Sequence, residues 1–396
     1  MNDNTSLPRI FLIFLRLGCT SFGGPIAHLG YYRHEFVERR KWLDDEAYAD
    51  LVALCQFTPG PASSKIGIAL GASRAGVIGG VAAWLGFTLP SALVMIAFGY
   101  GLQFFHGATE AGWLHGLKIA AVAVVTQAVW SMGRQLCPDR VRASFAILAA
   151  LMVLMWSNAL AQIGAIALGA IAGWRMLPGA ATPSSGHLHF QVSRRVGWAA
   201  WILFFSLLAI LPVLARTTGQ HAVQLFDSFY RAGSLVFGGG HVVLPMLRAE
   251  VVPAGWLGDD AFLAGYGVAQ AVPGPLFTFA AYLGTVAKGA PTGWIGGLLT
   301  LGAIFLPAFL LTFGALPFWN VLRAKPSIRS MMNGVNATVV GILLAALYDP
   351  IFSSAVRTPA DFALALAAFG LLAFWKSPPL WIVVFSALGG EALAFL

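Results

Sequence analysis

Two short stretches of this sequence have residue types and spacing that could do chemistry: Gln56-Phe57-Thr58-Pro59-Gly60-Pro61 and, 214 positions later, Gln270-Ala271-Val272-Pro273-Gly274-Pro275. Each lies in an apolar segment, where Pro-Gly-Pro cannot continue an α-helix. Its ring nitrogens donate no hydrogen bond, and each ring disfavours the α conformation of the residue before it. A helix restarting at Ala62-Ser63-Ser64-Lys65 or Leu276-Phe277-Thr278-Phe279 begins with amides that have no partner inside it. Those free donors and the positive end of the helix dipole suit an anion. Gly23-Gly24 and Gly238-Gly239 form a second matched pair of interruptions. A single such motif would be read as close packing or a kink; four in matched pairs point to a shared site.

Charged and hydroxyl side chains near the breaks extend this reading. Arg16 and Arg231 occupy equivalent positions inside apolar elements, where an arginine costs at least about 2.5 kcal/mol at the centre of a membrane helix. Each either snorkels to the interface or faces a cavity and attracts an oxyanion. Lys65 follows the first break and Lys118 aligns with Asn336, so the two halves are not chemically equal. Ser21, Ser63, Ser64, Ser234 and Thr278 offer hydroxyl donors, although each can also bond back to its own helix. His28 and His241 flank the glycine motifs without aligning with each other and are read as packed or capping side chains. Nearly all 16 acidic residues fall in loops or at element ends, with Asp50, Asp227 and Glu391 at the border. Cation and proton-coupled carriers place carboxylates in the membrane, so this balance favours an anion. Cys19, Cys55 and Cys137 make no CxxC pattern, and no HExxH or phosphate-binding glycine loop occurs. No metal, cofactor or catalytic residue is expected.

The elements that hold these residues are membrane helices. Of 396 residues 58% are hydrophobic and only 10% charged, with a mean hydropathy of +0.77. That much apolar surface requires the bilayer as solvent. The net charge of +8 is scattered over loops, which excludes a nucleic-acid stripe and suits a positive-inside membrane protein. No removable signal peptide is read at the amino terminus.

In chain order, an interrupted element with a second piece over 25–32 leads to a charged loop or surface helix over 33–50. The Pro-Gly-Pro element follows over 51–72, with helices near 76–105 and 111–133 and a hairpin of two short helices over 144–174 turning at Ser157-Asn158. After a polar linker and one unpaired helix near 196–214, the pattern restarts. Arg16, Gly18, Phe22, Gly23 and Gly24 return as Arg231, Gly233, Phe237, Gly238 and Gly239 at offset 215, Trp42 as Trp256 at 214, and Leu89-Pro90 as Leu306-Pro307 at 217. A slowly drifting offset means a duplicated unit with small indels. The expected fold is all-α and polytopic, of about 13 helical elements. Its units are a first membrane repeat (1–177), a polar linker (178–195), a linking transmembrane helix (196–215) and a second membrane repeat (216–396).

Seven elements separate equivalent positions, so the second repeat is inverted relative to the first. The inversion survives if both interrupted elements of each repeat are re-entrant. With the amino terminus inside, basic loop residues concentrate inside, but Arg33, Arg39, Arg40 and Lys41 fall outside, against the charge rule.

Phe22-Gly23-Gly24-Pro25 with a charged loop, then Gln56-Phe57-Thr58-Pro59-Gly60-Pro61, both repeated in a second half, resembles the chromate ion transporter family in its long, two-domain form. The second half departs from the first at Gly240 for Pro25 and Val272 for Thr58. The resemblance implies a multi-pass carrier of the bacterial inner membrane that exports chromate and confers resistance, with sulfate as the related dianion. The expected function is therefore a secondary transporter of a tetrahedral oxyanion. A sulfate or other anion importer, or an anion channel, is the alternative on the same fold, and an enzyme acting on lipid phosphates is less favoured for want of an acid/base pair. The expected substrate-binding set is Arg16, Ser21, Gly23, Gly24, Pro59, Gly60, Pro61, Ser63, Lys65, Arg231, Gly238, Gly239, Pro273, Gly274, Pro275 and Thr278. Expected partners are a chromate- or sulfate-like oxyanion and membrane lipid, without nucleic acid, and a homodimer is left open.

Overall fold

The computed structural model describes residues 6–21, 24–44, 47–48, 51–52, 54–55, 58–104, 112–156, 159–178, 192–236, 243–318 and 325–394. Among them no strand occurs, and fifteen helices of eight residues or more make up the chain. The first repeat holds α1 (Leu7–Thr20), α2 (Gly24–Arg33), α3 (Ala62–Phe104), α4 (Gly112–Leu136), α5 (Arg140–Met155) and α6 (Ala159–Met176). The linking helix is α7 (Arg194–Thr218). The second repeat holds α8 (His221–Leu235), α9 (Val243–Val251), α10 (Asp259–Ala271), α11 (Phe279–Val286), α12 (Gly293–Ala315), α13 (Pro326–Ala346), α14 (Pro359–Ala373) and α15 (Pro379–Leu393). Helix α3 is two helices joined at Ala75 and Gly76, whose φ of 61° only a glycine adopts cheaply. We call its parts α3a (62–74) and α3b (77–104).

Five helical stretches are long and apolar enough to cross a bilayer: Ala62–Leu102, His115–Arg134, Arg194–Thr218, Gly293–Phe318 and Pro326–Ala355. The protein is a polytopic membrane protein. The expected turn of the short hairpin at Ser157-Asn158 lies outside the described residues, but α5 and α6 flank it as two helices. The unpaired helix runs from Arg194, within the expected linker.

Both interrupted elements of each repeat fold back on themselves. In the second repeat Phe279 packs on Phe262 and Tyr266, Tyr282 Oη donates to Ala261 O (2.8 Å), and Lys288 N donates to Trp256 O (2.9 Å). Helices α10 and α11 are thus antiparallel arms of a hairpin whose apex is Pro273-Gly274-Pro275. The first repeat closes the same way at its base, where the Arg74 guanidinium lies 4.8 Å over the Trp42 ring and donates to Trp42 O (3.3 Å). Trp42 and Arg74 correspond to Trp256 and Lys288 at offset 214. Helices α1 and α2 form a further hairpin, with Phe14 against Tyr32 and Phe36, and α8 and α9 repeat it, with Arg231 bonded to Glu250.

The inversion is visible in the packing of α3b on α12, which are equivalent helices. Trp84 meets Phe309 (ring centroids 5.3 Å), so they run antiparallel. A Cβ on Gly80 would touch Phe313 (3.1 Å), and a Cβ on Gly297 would touch Ile96 (3.2 Å). Adding 217 to residue 80 gives 297, and subtracting 217 from residue 313 gives 96, so one contact is the image of the other. A two-fold operation that reverses two membrane helices has its axis in the membrane plane. The repeats are also interlocked. Helix α4 packs on α14 and α15, while α13 packs on α5 and α6. Trp113 N donates to Glu391 Oε2 (2.8 Å) across the first seam, and Gly334 packs directly on Gly169 in the second. Such small-residue seams let backbones approach where no hydrophobic force acts between helices.

Candidate functional site

The two Pro-Gly-Pro apices each reach into the other repeat. Gly60 N donates to Val236 O (2.6 Å), at the end of α8, and Gly274 N donates to Ser21 O (3.0 Å), at the end of α1. Ser21 and Val236 are themselves equivalent at offset 215. Both apices need glycine, since φ is 100° at Gly60 and 103° at Gly274. Each carbonyl so bonded lies where its helix has just ended and would otherwise lack a partner. The packing beneath is matched too: Gly60 lies over Ala308 of α12 and Gly274 over Ser91 of α3b.

Gly18 of α1 and Gly233 of α8 bring those helices onto the same two carriers. A Cβ on Gly18 would stand 2.6 Å from Phe87 O, and Gly233 sits directly on Ile304 O. The interruptions are therefore joined in two crossed pairs, the first Pro-Gly-Pro with the end of α8 and the second with the end of α1. Gly23, Gly238 and Gly239 lie outside the described residues; Ser21, Gly24, Val236 and both Pro-Gly-Pro stretches lie within them.

The two apices differ in chemistry. In the second, Thr278 N (3.0 Å) and Thr278 Oγ1 (2.9 Å) both donate to Pro275 O, closing a 3-10 turn over Leu276–Thr278 before α11 begins. In the first, α3a starts directly at Ala62, and its first internal bond is Lys65 N to Pro61 O (3.0 Å). Ser64, the counterpart of Thr278, is 2% exposed and its hydroxyl has no partner. At the second apex, where Ser21 O receives Gly274 N and Gly274 packs on Phe87 and Ser91, the buried Ser21 Oγ, Thr88 Oγ1 and His28 Nδ1 also lack partners. The His28 Nε2 lies 3.2 Å from Ser21 O, the same carbonyl that receives Gly274 N. Buried polar atoms in a native protein are normally satisfied, so these four atoms have hydrogen-bonding capacity left for a ligand or water.

Of the cations expected at the site, Lys65 and Arg231 have other partners. Lys65 is fully buried, and its ammonium donates to Thr58 O, to Thr58 Oγ1 (2.9 Å) and to Pro59 O (2.9 Å). Its three protons are thus spent on carbonyl and hydroxyl oxygens that the break leaves bare. The second break has Val272 and Phe279 at the corresponding places. Arg231 donates to Asp227 Oδ2 (3.0 Å) and holds Glu250 through both terminal nitrogens (2.8 Å each). Arg16 is exposed on α1. Of the acidic residues, the borderline Asp227 is buried in α8, and Glu250, at the end of α9, shares Arg231 with it. Lys118, buried on α4, pairs with Asp260 Oδ1 at 2.5 Å.

Sequence reasoning passed over His28, Thr88 and Ser91 as site residues. Nothing in their spacing singles them out, and only the fold brings them to the apices. Two apolar cavities, 460 Å³ beside α4 and α14 and 420 Å³ between α5 and α6, are lined by side chains such as Phe362 and Phe145 and hold no cluster of polar donors.

Comparison with known proteins agrees with this architecture. A family model described as chromate transporter matches residues 8–174 and again 223–391, one match per repeat. The chain is 32% identical to a chromate transport protein of Pseudomonas aeruginosa, covering 97% of this chain and 91% of that protein. It is 27% identical to a probable chromate transport protein of Synechococcus elongatus (97% and 95% covered) and to a chromate transport protein of Cupriavidus metallidurans (97% and 92% covered). No solved structure matches. With the family model matching both halves and 32% identity over 97% of its length, this chain belongs to the chromate transporter family.

Proposed function

We propose that this protein is a secondary transporter that exports chromate across the bacterial inner membrane and so confers chromate resistance. The observation that carries the reading is the set of buried, unpartnered donors at the crossed apices: Ser64 Oγ at the open start of α3a, and Ser21 Oγ, Thr88 Oγ1 and His28 Nδ1 beside the Gly274 apex. A tetrahedral oxyanion offers acceptors in four directions and replaces its water shell with such hydroxyls and with the free amides of a helix start. Broken backbone at membrane depth is tolerated only beside protein or a water-filled cavity. Export needs no further energy source, because a dianion leaving a negative-inside cell gains about 4.6 kcal/mol per 100 mV.

The test is radiolabelled chromate flux in vesicles of both orientations, with sulfate as competitor. Uptake into inside-out vesicles with interior-positive potential, lowered by Ser64→Ala through a raised KM, is the expected result. Flux only into right-side-out vesicles would reassign the protein as an importer, and equal flux both ways without saturation would make it a channel.

A further inference from the structure

Apart from the apices, one buried group has an unmet chemical need. Asp227 is 4% exposed, and both of its contacts from Arg231 fall on Oδ2 (Nε 3.0 Å, Nη2 2.9 Å). Its other oxygen, Oδ1, is buried with no partner. The same arginine holds Glu250, whose Oε2 also accepts from Ser228 Oγ (2.8 Å). One guanidinium thus faces two carboxylates, of which Asp227 is the more deeply buried. The elements packed on α8 supply little else: α7 brings the exposed Arg216, α9 brings Glu250, and α12 carries no ionisable side chain. The first repeat has no such cluster. Its counterparts of Asp227 and Arg231 are Leu12 and Arg16, and Glu35, at the place of Glu250, bonds Arg39 and Arg40 instead.

We propose that Asp227 is a proton-binding site, with the proton held on Oδ1, and that its occupancy is linked to anion binding at the apices. This rests on the transport reading above. Helix α8 carries Arg231 five residues before Val236, whose carbonyl takes the Gly60 amide, about 7.5 Å along the helix. Asp227 lies nine residues before Val236, about 13.5 Å along the helix, and a proton on it removes one negative charge and leaves Arg231 answered by Glu250 alone. A dianion is then bound more tightly, and by linkage the bound dianion raises the affinity for the proton. Proton and dianion therefore travel in the same direction, so each cycle moves one net negative charge. Glu250 and Arg231 are 15% and 26% exposed on their side chains, which gives the proton a way in that Asp227 alone lacks.

The experiment uses the full-length protein in proteoliposomes loaded with a pH dye. A chromate gradient at clamped potential should acidify the compartment that receives chromate. Lowering pH by one unit on both sides should tighten chromate binding, by about tenfold at most. Asp227→Asn should keep chromate exchange at zero pH gradient while losing the proton signal and the pH dependence of affinity. Saturable chromate flux without proton movement in the unaltered protein would overturn the inference and leave the transport reading standing, whereas absence of flux would overturn both. Proton movement that persists in Asp227→Asn would place the site elsewhere and overturn the assignment. Should that variant fail to reach the membrane, Asp227→Leu, the first repeat's own residue at this place, takes its role, and a retained proton signal there refutes the assignment equally.

Discussion

Replacing the apex glycines tests whether the two breaks sit where they are described. Both Gly60→Ala and Gly274→Ala force a side chain onto a backbone with φ near 100°, at about 1–3 kcal/mol each. The surroundings separate them. At Gly60 the new methyl finds its nearest atom, Gly233 O, at 3.5 Å, which is ordinary contact. At Gly274 it stands 2.8 Å from Ser91 Oγ and 3.2 Å from Phe87 O. Ser91 must swing away and give up its bond to Thr88 O (3.0 Å), and the α3b backbone must yield. Those two adjustments add about 2 kcal/mol to Gly274→Ala over Gly60→Ala. Ser91→Ala copies Ala308, the residue beneath Gly60, and removes the closest contact. Combined with Gly274→Ala it should recover about 1 kcal/mol, a coupling that a double-mutant cycle reads directly. Reversible unfolding in mixed micelles, followed by helical ellipticity, measures all four proteins. Equal destabilisation at the two glycines, or no coupling between positions 274 and 91, would refute the placement of the second apex on α3b.

Three further outcomes follow from the same geometry. Lys65→Met strips partners from Thr58 O, Thr58 Oγ1 and Pro59 O, so unfolding stability should fall by about 3 kcal/mol together with chromate flux; loss of flux at full stability would instead make Lys65 an anion ligand. Arg231→Gln leaves Asp227 and Glu250 without their counter-charge and should cost about 3–5 kcal/mol, seen as reduced membrane levels, while Arg16→Gln should leave levels unchanged. Single cysteines at Lys41 and Gly255, equivalent at offset 214, should react with an impermeant thiol reagent from opposite sides of the membrane in a cysteine-free background; labelling from one side would contradict the inversion.

The sequence carried the duplication, the breaks and the helix starts, because these depend on local rules: proline lacks a donor, and glycine alone adopts the apex φ. It even carried the hairpin bases, since Arg74 and Lys288 share the offset of Trp42 and Trp256. It did not carry the pairing of the apices. An alignment sets like beside like, whereas the bonds run from each Pro-Gly-Pro to the other repeat's first hairpin. The partners of the cations were not legible for a similar reason. Lys65 reaches back seven residues across an unwound stretch, and Glu250 meets Arg231 from nineteen residues away on a returning arm, neither being a helical spacing.

The crossed bonds constrain how such a protein could cycle. Gly60 to Val236 and Gly274 to Ser21 exchange under the two-fold operation, so a state that breaks one and keeps the other has a mirror state of nearly equal backbone energy facing the opposite side. Loosening the first hairpin of one repeat releases the Pro-Gly-Pro apex of the other, and motion therefore passes between repeats without a separate linkage. The bases oppose free movement, since Trp42 with Arg74 and Trp256 with Lys288 pin the hairpins at opposite faces. The side chains then break the tie that the backbone leaves. Lys65 rigidifies the first apex against its own carbonyls, Thr278 closes the second, and unpartnered hydroxyls remain at both, Ser64 after the first and Ser21 beside the second. An anion bound as proposed therefore draws on both repeats, on the helix start that follows the first apex and on Ser21 beside the second.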